Sequence, residues 1–258
     1  MIGSALLEDA RVLVTAGATG IGRAIVDTFV AHGARMHICD ISAAALEACG
    51  KAQPSVGTTL ADVSDEAAVE RLFADVAARL GGLDVLVNNA GIAGPTARID
   101  EITTADWKQT IDINLTGHFF CARRGVPMLR ASAGVMLNIS SVAGRLGYAY
   151  RTPYAATKWA IVGLSASLAK ELGEFGIRVN TLLPGVVEGP RIEKVIADRA
   201  HATGVSVEAM KATYLENVSL KRMVSPQDVA NMALFLCSPL GRNISGQAIS
   251  VDGNVVNL

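Results

Sequence analysis

The sequence predicts an α/β fold, an open doubly wound parallel sheet with helices on both faces. Three observations predict it. Short β-branched runs alternate with longer helical patterns along the chain, the signature of right-handed βαβ units. The strand-like runs are apolar throughout, as strands covered on both faces must be. The composition agrees, with 50% hydrophobic residues, 18% charged residues and 25 glycines in 258 positions. A chain of about 250 residues in this class is commonly one domain. No repeat, low-complexity tract or linker-like stretch divides it, so residues 1–258 read as a single domain.

The first strand, at residues 12–15, runs into the turn Thr15-Ala16-Gly17-Ala18-Thr19-Gly20-Ile21-Gly22 and then a helix over 21–31. Glycines there let backbone approach a pyrophosphate, and the helix N-terminus supplies free N–H groups and a favourable dipole. Such turns also occur simply to pack a helix tightly. A second strand, at 36–39, ends at Asp40, a carboxylate placed to accept the hydroxyls of an adenosine ribose and to repel a 2′-phosphate. Ser42 is the better cap for the helix that follows, which leaves Asp40 free. No Lys or Arg occupies positions 16–22 or 41, so NAD is the expected cofactor.

Further strands follow at 85–87, Val135–Ile139, 179–183 and Ala248–Val251, with helices at Glu66–Leu80, 107–129, 154–172 and 227–236. The stretch 189–219 fits this rhythm least. It is helical and charged, and follows a strand's C-terminal end, where open α/β sheets bind their ligands. It reads as a surface hairpin or as a substrate lid, and its position favours the lid.

The charge balance, 23 basic against 24 acidic residues, lacks the footprint of a nucleic-acid binder. No stretch carries 18 consecutive apolar residues, and a strand begins too early to leave room for a signal peptide. Cys39, Cys49, Cys121 and Cys237 are scattered, which predicts free thiols and a cytoplasmic location. His32, His37, His118 and His201 lack metal-ligand spacing, so no metal site is expected.

Tyr154 and Lys158 stand one helical turn apart and share a helix face. Free tyrosine, with a pKa of about 10, is too weakly acidic to serve as a base at neutral pH. A neighbouring ammonium stabilises the phenolate and makes it a proton shuttle. Ser141, ending a buried strand, supplies a hydroxyl able to hold a carbonyl or alcohol oxygen.

At these residues the sequence resembles the short-chain dehydrogenase/reductase family, over essentially its whole length. The family's glycine-rich turn matches residues 15–22, with Gly17, Thr19, Gly20, Ile21 and Gly22 as cofactor positions. Its acidic ribose ligand matches Asp40, and its adenine-contacting pair matches Asp62-Val63. Its N-N-A-G signature stands as Asn88-Asn89-Ala90-Gly91, and its Pro-Gly as Pro184-Gly185. The catalytic tetrad matches Asn114, Ser141, Tyr154 and Lys158.

The resemblance implies a Rossmann-like sheet of about seven strands. Tyr154 would be the acid/base, and Lys158 would bind the nicotinamide ribose and depress the tyrosine's pKa. Ser141 would orient the substrate oxygen. Asn114 would interrupt its helix and hold a relay water, and Asn88, Ala90 and Gly91 would line the cofactor. It also implies a homotetramer, with interfaces on the helices 107–129 and 154–172 and on the last strand.

Two positions depart from the family's pattern. Ala16 stands where a glycine is usual, and the turn is expected to survive with a negative φ there. Gly189 replaces a threonine that meets the nicotinamide carboxamide, leaving that contact to backbone groups such as those of Val187.

Candidate substrate neighbours are Ala143, Arg145, Tyr148, Arg151, Gly94, Gly185, Arg191 and the lid with Tyr214. Arg145 and Arg151 have a competing reading as side chains facing solvent or a neighbouring subunit, and Arg191 as a partner of Glu188 or Glu193. The expected reaction is hydride transfer between NAD and a secondary alcohol or ketone, such as a sugar, polyol or hydroxy acid. The alternatives are a 3-oxoacyl-thioester reductase using NADPH and a non-catalytic dinucleotide sensor or scaffold.

Overall fold

The computed structural model describes residues 5–258. Its strands are β1 (Arg11–Thr15), β2 (Arg35–Asp40), β3 (Gly57–Leu60), β4 (Val85–Asn88), β5 (Val135–Ile139), β6 (Arg178–Pro184) and β7 (Ala248–Val251). All pair in parallel, in the order β3-β2-β1-β4-β5-β6-β7. The chain builds outward from β1 to β3 and then returns to build the other way from β4. The reversal places a crevice beyond the C-terminal ends of β1 and β4.

Side chains alternate across the sheet because successive strand residues point to opposite faces. Val12 and Val14 of β1 join one core with helices α1 (Gly20–Ala31), α2 (Ala43–Ala52) and α9 (Pro226–Cys237). Leu13 joins the other core, with α3 (Glu66–Leu80), α5 (Gly117–Arg130) and α6 (Thr152–Leu172). Cys39, Cys49, Cys121 and Cys237 are all free thiols buried in these two layers.

The expected helix over 107–129 divides. It begins as α4 (Thr104–Ile111), widens into a π-turn at Asp112–Thr116 and continues as α5. Strand β3 escaped the sequence reading because Gly-Thr-Thr-Leu at a sheet edge is half exposed and carries no apolar run. The segment after Gly189 forms a helical hairpin, α7 (Pro190–Thr203) and α8 (Val207–Glu216). It has a small core of its own, in which Ile196, Ala200, Met210 and Tyr214 pack on Val142, Val186, Val218 and Val255. No helix among the described residues is long and apolar enough to cross a membrane.

Candidate active site

A crevice runs along the C-terminal edge of the sheet from Asp40 to the α7–α8 hairpin. The turn after β1 forms its floor. The Thr15 hydroxyl accepts hydrogen bonds from the N–H groups of Asn89 and Ala90, both at 3.0 Å, and ties the end of β1 to the end of β4. The Asn89 amide donates to the carbonyls of Thr15 and Ala16. Thr19, Gly20 and Ile21 face the crevice. Thr19 starts α1 without capping it through its side chain, so the first-turn N–H groups stay open to an anion.

Two of the turn glycines serve packing instead. A Cβ on Gly17 would lie 2.7 Å from the Ile38 side chain, and one on Gly22 would lie 2.2 Å from the Ala16 carbonyl oxygen. Neither lines the crevice. Ala16 corrects an expectation. Its φ is +49°, in the left-handed region, so the methyl is accommodated under strain.

Asp40 is fixed in the crevice wall by the N–H groups of Ala18 (3.3 Å) and Ser42 (3.1 Å). Ser42 caps α2 by accepting from Ala45 N–H, as its sequence position predicts. Asp62, Val63, Ala90 and Gly91 also line the crevice. Asn88 does not. It is buried at the end of β4 and donates to Asn138 on β5, which donates to Ser165 on α6. This polar ladder sets the position of the helix that carries Tyr154. Asn89 faces the crevice in its place; the doubled Asn left that choice open in the sequence.

At the far end Pro184, Gly185 and Val187 form the wall. Val187 lies in a parallel bridge with Val224, whose hydrogen bonds use the Val186 carbonyl and the Glu188 N–H. The Val187 N–H and C=O therefore point away from Val224, with no partner among the described residues. With the open helix end and the fixed Asp40, these groups fit an elongated dinucleotide.

The four residues expected to be catalytic lie beside them. Lys158 is buried and donates to the Ile139 carbonyl at 2.9 Å, with its Nζ 5.6 Å from the Tyr154 ring centroid. Ser140 holds α6 from below by donating to the Lys158 carbonyl. Burial pushes the Tyr154 phenol up. Lys158, Arg191, the Ser141 hydroxyl and Arg151 outweigh it, so the pKa falls below the ordinary 10. Lys158 is drawn down to about 8, chiefly by burial and against the pull of Tyr154.

Asn114 sits in the π-turn, fully buried. It accepts from Ile92 N–H (2.7 Å) and donates to the Ile92 carbonyl (3.0 Å). A Cβ on Gly91 would lie 3.1 Å from Asn114 Oδ1 and 3.6 Å from Lys158 Nζ, so the missing side chain keeps a gap open between them.

At the substrate end the candidate residues separate. Ala143 is wholly buried and does not reach the crevice; its N–H donates to the Ser141 hydroxyl. Arg145 pairs with Asp252 at 2.6 Å. Arg151 is buried in the crevice wall rather than turned to solvent. Arg191 reaches the crevice and forms no ion pair with Glu188 or Glu193 among the described residues. Tyr214 lines it too, sharing a 2.5 Å hydroxyl contact with Tyr148 and accepting from Arg199 at 3.1 Å. Arg199 was not expected; one arginine on a charged helix carries no distinguishing signal.

A family model described as enoyl-(acyl carrier protein) reductase matches residues 15–255. The chain belongs to the short-chain dehydrogenase/reductase family. It is an oxidoreductase that acts on alcohols or ketones with a nicotinamide dinucleotide. Among members of the family, it is 36% identical to galactitol 2-dehydrogenase of Agrobacterium fabrum, over 96% of this chain and 97% of that one. It is 35% identical to a 3-oxoacyl-(acyl-carrier-protein) reductase of Chlamydia muridarum, over 98% and 99%. The fold superposes on a 7α-hydroxysteroid dehydrogenase solved with NADH and a 7-oxo bile acid, with TM-score 0.89, 30% identity and coverage of 98% and 96%.

Proposed function

We propose that the chain interconverts a secondary alcohol and its ketone using NAD, with a polyhydroxylated or acidic substrate. The observation that carries this reading is the placement of Tyr154. Its phenol is held below its ordinary pKa beside Lys158, at one end of a crevice whose other end is walled by the fixed carboxylate of Asp40. The bound nicotinamide supplies the hydride acceptor or donor.

In the oxidative direction the Tyr154 phenolate takes the alcohol proton while Ser141 holds the same oxygen in line. Lys158 keeps the phenolate available and binds the ribose beside it. The proton then passes toward Lys158 and the gap that Gly91 leaves open beside Asn114. In the reductive direction Tyr154 donates instead, so one group serves both directions. An intact proton path of this kind argues against a non-catalytic sensor.

Asp40 favours NAD. Among the described residues no Lys or Arg lines the crevice beside it; Arg23, in the first turn of α1, pairs with Asp27. The 3-oxoacyl-thioester reductase reading needs a site for the 2′-phosphate of NADPH where this carboxylate stands. Arg191, at the mouth of the crevice with no ion pair among the described residues, supports a polar or anionic substrate over an apolar one. The family resemblance supports a homotetramer, and the buried free thiols suit a cytoplasmic setting.

The test is a panel of alcohols with NAD and NADP, and of ketones with the reduced forms. NAD gives the higher kcat/KM, and Asp40→Ala narrows the gap, because a hydrogen bond to a charged group is worth about 1.5–3 kcal/mol. Tyr154→Phe abolishes turnover and leaves NAD affinity within a few-fold. Equal use of both cofactors would overturn the NAD assignment. A Phe variant keeping a tenth of the rate would remove Tyr154 from proton transfer.

A further inference from the structure

We propose that Arg151 is a positioning residue for proton transfer, a permanent cation whose counter-ion is the Tyr154 phenolate. The inference rests on the reading of Tyr154 as proton carrier. Arg151 is only 2% exposed. Its Nη2 donates to the Ala93 carbonyl at 2.6 Å, while Nε and Nη1 are buried without a partner among the described residues. No carboxylate among the described residues pairs with it. A charge taken out of water and left unpaired is costly. Its visible compensation is aromatic: the guanidinium carbon lies 4.9 Å from the Tyr154 ring centroid and 5.2 Å from that of Tyr148. A neutral ring repays little of that cost. Ionising Tyr154 turns the same ring into an anion against the same guanidinium.

The surroundings of Tyr154 leave this role to Arg151. Lys158 approaches from α6, but burial draws its own pKa down to about 8, so its charge is held less firmly than a guanidinium's. Arg191 approaches from α7 and is exposed, so solvent screens it. Tyr148 meets the ring edge-on at 6.5 Å, and Ser141 supplies a hydroxyl from the loop after β5. Arg199 and Tyr214 of the hairpin stop at Tyr148. Glu188 is the carboxylate on this part of the crevice wall and pairs with none of these cations. A guanidinium keeps its charge more firmly than an ammonium does.

The experiment needs neither substrate nor cofactor. The near-ultraviolet absorbance of tyrosinate is titrated in the protein, and subtraction of the Tyr154→Phe titration isolates Tyr154. Tyr148, whose phenol burial pushes well above its ordinary range, stays silent. In Arg151→Met the Tyr154 transition moves up by about one pH unit, and in Arg151→Lys it stays nearer the unmodified protein while the introduced ammonium remains charged. Should the Met variant fail to fold by circular dichroism, Arg151→Gln retains a donor for the Ala93 carbonyl and carries the same comparison. A folded Met or Gln variant with an unmoved transition overturns the proposal and leaves Tyr154 as proton carrier. An unmodified protein whose Tyr154 titrates at 10 or above overturns both readings.

Discussion

Ala16 shows how one methyl changes the cost of a cofactor turn. The left-handed conformation costs a residue with a Cβ about 1–2 kcal/mol, whereas glycine in an unfolded chain forfeits about 0.4–1 kcal/mol more entropy on folding. With φ at +49° the first effect wins. Ala16→Gly raises stability by up to about 1 kcal/mol, read from urea midpoints, and leaves the Asn89 hydrogen bond to the residue 16 carbonyl in place. A destabilised glycine variant would show that the turn is relaxed as it stands. Nothing in the sequence reveals this strain, because φ is set by where β1 must meet β4. The chemical identities of Tyr154, Lys158, Ser141 and Asp40 were legible, because each needs a particular functional group. The distinction between glycines that face the crevice and glycines that pack, as at Gly17 and Gly22, was not; both demand the same missing side chain.

Among the elements, periodicity reported burial and missed whatever burial does not decide. Strands β1, β4, β5 and β6 announce themselves as apolar runs, while β3 pairs at an edge with half its side chains in water. The π-turn at Asp112–Thr116 leaves no compositional trace, because one extra residue per turn keeps the helical character; the break at Asn114 was legible only through the family resemblance. The outward faces of α4, α5 and α6 carry Trp107, Phe119 and Trp159, each well exposed, and β7 has one unpaired edge. In the proposed tetramer these elements meet their symmetry mates through isologous contacts. Light scattering at micromolar concentration then gives four times the chain mass, and a monomeric mass would exclude that assembly.

For the molecule as a whole, buried histidines set the acid limit. His118 lies against the Ala90 carbonyl, and burial, with a smaller push from Lys158, draws its pKa down to about 3; His37 falls to about 4, chiefly through burial. The unfolded chain binds these protons near pH 6.5 and the folded chain refuses them, so stability is complete above that value and is lost as the pH falls toward 3–4. By pH 4.5 His118 alone accounts for a loss of roughly 2–3 kcal/mol. His118→Gln, which keeps a donor for the Ala90 carbonyl, flattens the decline by that amount in urea melts at pH 7 and pH 4.5. An unchanged slope would show that other groups govern acid unfolding.

The four interior thiols make the chain its own stopwatch. Burial pushes Cys39 and Cys237 up to about 12 and raises Cys49 and Cys121 as well, so none offers a reactive thiolate at neutral pH. They are spread over β2, α2, α5 and α9, on both sides of the sheet. A maleimide pulse of the native protein therefore leaves all four unlabelled, and the labelling rate counts openings of each layer separately. If Cys49 and Cys237 acquire the label well before Cys121, the two faces of the sheet come apart in sequence; a common rate means that they open together.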